Sequence, residues 1–165
     1  KTSAMLQEAV GHLKEAVKIH PTYKNAYLLL GNAHNYLKKY EEAIVYYDQA
    51  LKLDPSYTDA FNNRGITYRG AGLFYGQQQG DLNKSIQYLS EAQKVLPEDY
   101  ETVFGLGVAQ GMSGDITQAI ALFAKATQLQ PNSAAAWRNL GNAYMNAGDT
   151  ERGTTALQKA SSLEK

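Results

Sequence analysis

Apolar positions along this chain recur at offsets of three, four and seven, the spacing of one helix face rather than the alternation of a strand. A longer period lies over that pattern. The four prolines, Pro21, Pro55, Pro97 and Pro131, are separated by 34, 42 and 34 residues, and regular spacing of that size marks a repeat. Aligned on the prolines, a large apolar residue returns as Tyr27, Phe61, Val103 and Trp137, and a glycine follows four residues later at Gly31, Gly65, Gly107 and Gly141. Further along each unit come Ala43, Ser85, Ala119 and Gly153, then Tyr47, Leu89, Phe123 and Leu157, then Ala50, Ala92, Ala126 and Ala160. The first 23 residues fit only the second half of a unit, with Ala9, Leu13, Ala16 and Pro21 in the matching columns.

Each unit is therefore predicted to hold two helices. In the last unit one is expected from about Ser133 to Asn146 and the next from about Thr150 to Leu163, with Gly148 breaking the first and Asp149 capping the second. Proline falls just past each second helix, where it cannot continue the ladder but can start a turn. The glycine and alanine columns let two helix backbones approach closely, while the aromatics fill the wider parts of the gap.

The columns Trp137, Leu140-Gly141 and Tyr144, then Phe123 or Tyr47 behind an alanine, then alanine and proline, resemble the tetratricopeptide repeat, a helix–turn–helix unit of 34 residues. The resemblance covers the whole chain as one domain: a half repeat at 1–23, then repeats at 24–57, 58–99, 100–133 and 134–165. It implies an all-α, right-handed superhelical solenoid whose first helices line a concave groove. It also implies a partner: a peptide or helix of another protein held in that groove.

One stretch breaks the period. From Tyr68 to Ser85 the chain takes 17 positions where the other units take nine, so the unit 58–99 carries an eight-residue insertion near 73–80, in GAGLFYGQQQGDL. Its glycines do not follow G-x-G-x-x-G and no P-loop lysine follows, so it is no nucleotide loop. Leu73, Phe74 and Tyr75 are expected to continue the first helix by about a turn, with QQQG as the loop and Asp81 capping the next helix. The segment reads either as a tolerated tip insertion or as a protrusion that contacts a partner through Phe74 and Tyr75.

Charge and composition narrow the chemistry. Lys+Arg and Asp+Glu both number 16, and the longest basic run is Lys38-Lys39, so a nucleic-acid partner is not expected. No apolar run approaches the roughly 18 residues that span a bilayer, so no direct membrane insertion by this chain is expected. There is no cysteine, which removes disulfides and thiolate sites. His12, His20 and His34 form no ligand pair, and His34 reads as a packing residue. Neither a cofactor, nor a metal site, nor a nucleophile–base set can be assembled, and the chain is expected to be no enzyme.

By resemblance the groove is lined by Asn25, Leu28, Asn32 and Asn35 in the first full unit, Asn62, Asn63, Ile66 and Arg69 in the second, Phe104, Val108 and Met112 in the third, and Arg138, Asn139 and Asn142 in the last. Asn32 and Asn63 match two asparagines of the clamp by which some family members hold a terminal carboxylate, but Leu28, Glu101 and Gly105 stand where its cations would be. Asn63 and Asn139 resemble rungs of an asparagine ladder that holds a peptide backbone, and Phe104, Val108 and Met112 form an apolar strip. Other readings stay open. "GVAQGMSGD" and the long unit resemble repeat tails of polytopic bacterial membrane glycosyltransferases, which implies an assembly or regulatory tail of a larger protein. The first helix lacks its usual partner and the last has no solvating helix after it, so pairing of copies through the terminal helices is a further expectation.

Overall fold

The structure, a computed structural model, describes residues 2–164. Among these residues it contains nine α-helices, one π-helical turn and no strand. Helix α1 spans Thr2–Ile19; hairpins follow as α2 (Lys24–Tyr36) with α3 (Tyr40–Leu53), α4 (Thr58–Phe74) with α5 (Leu82–Val95), α6 (Tyr100–Ser113) with α7 (Ile116–Leu129), and α8 (Ala134–Asn146) with α9 (Thr150–Ser162). The π-helical turn, Tyr75–Gln79, continues α4.

The same local chemistry recurs at every boundary. Pro21, Pro55, Pro97 and Pro131 each stand two residues past a helix end. Around them the N–H groups of Tyr23, Tyr57, Asp99 and Ser133 donate to the carbonyls of His20, Asp54, Leu96 and Gln130 at 3.0–3.2 Å. Proline's fixed φ suits the second position of such a turn. Helix starts are capped by side chains: Asp81, Asp99, Asp115, Ser133 and Asp149 accept from the N–H three residues on, each satisfying one of the donors a helix start leaves open.

Within each hairpin the turn uses a left-handed residue in one column. Gly80 (φ 68°), Gly114 (φ 94°) and Gly148 (φ 83°) occupy it, and Lys38 (φ 58°) takes the same place after α2. Glycine adopts this backbone freely, whereas a residue with a Cβ pays about 1–2 kcal/mol.

The glycine column inside the first helices has a different cause. A Cβ on Gly31 would lie 2.5 Å from the Tyr47 ring, one on Gly107 2.9 Å from Phe123, and one on Gly141 2.7 Å from Leu157. In α2, α6 and α8 the first helix is thus pressed onto a large side chain of its partner helix, and only glycine leaves the room.

The extra residues of the long unit are helical. The QQQG segment is not the expected loop: Gln77, Gln78 and Gln79 belong to the π-helical turn, which closes at left-handed Gly80 with the Asp81 N–H donating to the Tyr75 carbonyl at 2.9 Å. Helix α4 and this turn cover 17 and 5 residues, against 13 or 14 in the other first helices, so the added length went into helix and left the connection short. Glycine is a poor helix former, yet two of the segment's glycines stand where neighbours come close. Gly72 is met by Leu89 at 2.5 Å and Gly76 by Ser85 Oγ at 2.7 Å, measured from the Cβ each lacks.

The chain falls into two compact units, Lys1–Ala71 and Gly72–Lys165. In the first, Ala43, Tyr47, Ala50 and Ala60 form a core with Tyr27, Leu28, Leu51 and Tyr57 around it. In the second, one core joins Leu89, Val103, Leu106, Leu122 and Ala126, and another joins Phe123, Leu140, Ala143 and Ala156.

Two substitutions test these packing statements. Gly31→Ala gains about 1 kcal/mol of helix propensity but overpacks a fully buried ring, which typically costs about 1–3 kcal/mol. A lower urea midpoint is expected, and a raised one would contradict the close-approach account. Lys38→Gly relieves the left-handed strain at some entropic cost; a gain of about 0.5–1 kcal/mol is expected in the same measurement.

Candidate functional site

In the first unit the predicted groove residues divide into those that support and those that line. Leu28 packs on the core. Exposed Asn25 accepts from the Tyr57 hydroxyl at 2.9 Å, and Asn62 is exposed. Asn32, Asn35, Asn63 and Ile66 come together around an open hollow of about 250 Å³, together with Tyr36 and Tyr47. Arg69 is half-buried and does not line it.

The hollow is organised by one oxygen. Asn32 Oδ1 accepts from the Tyr47 hydroxyl at 2.8 Å and from Asn63 Nδ2 at 2.9 Å. Burial pushes the Tyr47 phenol above its usual pKa. With both donors spent on that oxygen, Asn32 Nδ2 and Asn63 Oδ1 have no partner among the described residues. The hollow therefore offers the unengaged amide NH2 of Asn32 and the unengaged amide oxygen of Asn63, from adjacent repeats.

The second unit presents an apolar cleft of about 400 Å³. Its α6 wall carries Glu101, Phe104, Gly105, Val108, Ala109 and Met112; α5 adds Leu82, Ser85 and Leu89; α4 adds Leu73, and the π-helical turn after it adds Gly76 and Gln77. Phe104 is also a core residue, stacked on Tyr100 with ring centroids 5.5 Å apart and tilted against Phe123 at 5.8 Å. Val108 packs beside it, whereas Met112 is 66% exposed at the rim. Asn139 and Asn142 lie across from Val108 and Met112 in a smaller adjoining hollow of about 150 Å³. Asn139 turns its Nδ2 back to the Ala135 carbonyl at 2.9 Å. Arg138 pairs with Glu164 and lines neither hollow.

Phe74 and Tyr75 stand apart from the cleft. Tyr75 stacks on Tyr88 of α5 at 5.6 Å with Lys84 Nζ 4.4 Å from the ring centroid, and Phe74 meets Tyr75 edge-on. Both are half-buried and held against the hairpin. Sequence reasoning missed Leu73, Gly76 and Gln77 as wall residues; the signal was the glycine spacing of Gly72 and Gly76, which matches a helix face pressed on a neighbour. It also missed Tyr36, at the end of α2, and Tyr47, on α3, a second helix of which the family's groove pattern says little.

His34 is buried, with Nδ1 2.8 Å from the Leu30 carbonyl and its ring against Tyr46. Among the described residues no group of three or more His, Cys, Asp or Glu is placed to hold a metal, and no helix is long and apolar enough to cross a membrane.

Helical hairpins repeated in register, with open hollows over their first helices, define a class: the interaction scaffolds built from helical repeats. Models of the tetratricopeptide repeat match at residues 25–57, 46–87, 77–131 and 112–164. The chain belongs to the tetratricopeptide-repeat family, and its fold is the all-α solenoid of that family. Among solved structures it resembles YrrB, described as a tetratricopeptide-repeat protein with an unusual peptide-binding site, at 23% identity and a TM-score of 0.64, over 98% of this chain and 79% of that one. It also resembles MamA, at 20% identity and a TM-score of 0.65 over 99% and 91%, and MamA from Desulfovibrio magneticus RS-1, at 22% identity and a TM-score of 0.61 over 96% and 85%. No curated protein matches it in sequence.

The hydrogen-bond arrangement in the first unit makes a specific demand on stability. Asn32→Ala removes the acceptor of the fully buried Tyr47 side chain and is expected to cost about 1–2 kcal/mol. Exposed Asn142→Ala is expected to change stability by less than about 0.5 kcal/mol. Equal urea midpoints for the two variants would refute the role given to Asn32.

Proposed function

We propose that this chain binds a peptide or helix of a partner protein along the faces of its first helices, with Asn32, Asn63, Phe104, Val108, Met112, Asn139 and Asn142 contributing to the contact surface. The observation that carries this reading is the unspent amide pair of Asn32 and Asn63. A peptide bond presents one N–H and one C=O whatever its side chain, and an amide donor beside an amide acceptor matches both. The apolar cleft of the second unit adds a place for a side chain, and buried apolar anchors carry most of the affinity at such surfaces. The likeness to YrrB, a tetratricopeptide-repeat protein with an unusual peptide-binding site, supports the same reading. The chain acts as a non-enzymatic module in this account.

A phage-displayed random peptide library, selected on the native chain, supplies the test. Enriched peptides are then titrated by fluorescence anisotropy against the native chain, Asn63→Ala and Met112→Lys, each checked for unchanged helicity. Loss of one amide contact is expected to weaken binding about tenfold or less, on the scale of about 1 kcal/mol per hydrogen bond, and Met112→Lys is expected to weaken it further. Peptides that bind both variants as tightly as the native chain would overturn the groove assignment.

A further inference from the structure

The lengthened α4 and the π-helical turn after it give the apolar cleft of the second unit a wall built from the inserted segment. Of the twelve residues that line it, Glu101 is the only one ionisable. It is exposed in the first turn of α6 and has no partner among the described residues. The floor is apolar, from Leu82, Leu89, Phe104 and Val108, and the glycines at 76 and 105 bring the extension close: Gly105 is covered by the Leu73 side chain, 2.7 Å from where its Cβ would stand. At about 400 Å³, the space exceeds the roughly 150 Å³ that accommodates a benzene ring. It lies within the range of built ligand pockets, whose few polar groups set orientation.

From this combination we propose that the cleft receives one large apolar side chain of a partner peptide, Phe, Leu, Met or Trp, whose neighbouring residue is Lys or Arg and pairs with Glu101. The occupant is fixed by charge complementarity. An acidic neighbour would meet an unpaired carboxylate beside a low-dielectric wall, and a neutral one would leave that carboxylate unanswered. The proposal rests on the peptide-groove reading above and specifies its ligand.

The test compares peptides selected from the same random library on the native chain and on Glu101→Lys, with folding of each verified by circular dichroism. Native-selected peptides are expected to place a basic residue next to a large apolar one, and those selected on Glu101→Lys to keep the apolar residue and exchange the basic one for an acidic one. A representative native-selected synthetic peptide is expected to bind Glu101→Gln about threefold more weakly, the scale of an exposed ion pair. That difference should vanish in 1 M salt, where the screening length is about 3 Å. Absence of a basic preference, or unchanged affinity for Glu101→Lys, overturns the inference. If binding is then still weakened by Asn63→Ala, the groove reading stands without it; if no peptide is enriched on the native chain, both fall.

Discussion

The repeat is organised by one contact, a glycine on the first helix of a hairpin lying under a large side chain of the second. It recurs as Gly31 under Tyr47, Gly107 under Phe123 and Gly141 under Leu157. The contact fixes the rotation of each first helix, because successive residues turn by about 100°. The residue just before the glycine then points into the core, as the buried Leu30, Leu106 and Leu140 do. The residue just after it turns to the open side, as Asn32, Val108 and Asn142 do at the hollows. The side chains that line the hollows are thus set by an interlock beneath them.

This explains why much of the architecture is legible in the sequence. Glycine and its large partner are distinctive residues at a constant separation, and the proline turns and aspartate caps are equally local. The long unit was harder to read for the same reason. Counting from Gly65 places the extra residues at the hairpin tip, yet Leu89 rests against Gly72, two turns further along α4, and Ser85 against Gly76. Glycines that look like loop formers by propensity are there for close approach, and tertiary packing overrides the weak local preference. The left-handed column was also invisible from residue type alone, since Lys38 breaks the run of Gly80, Gly114 and Gly148.

Candidate site residues were legible as positions and less so as roles. Family registration brings Asn32, Asn35, Asn63 and Ile66 to one hollow and Phe104, Val108 and Met112 to another. It cannot say that the Asn32 oxygen is already taken by Tyr47 and Asn63, or that Arg138 is engaged by Glu164. Those facts depend on side chains from other helices, and on residues such as Glu164 that lie far away in sequence.

Phe104 both supports the core and lines the cleft. It lines the cleft, stacks on Tyr100 and bears on Phe123, which itself covers Gly107. A charge placed there would strike the interlock as well as the surface, so lost binding in such a variant would say nothing about contact. Met112 and Glu101 differ in kind, because both are exposed at the cleft and support no core. Specificity in this fold is therefore expected to reside in rim residues of that sort. The rigid floor beneath them serves a different end, holding the cleft open while the rim is free to change.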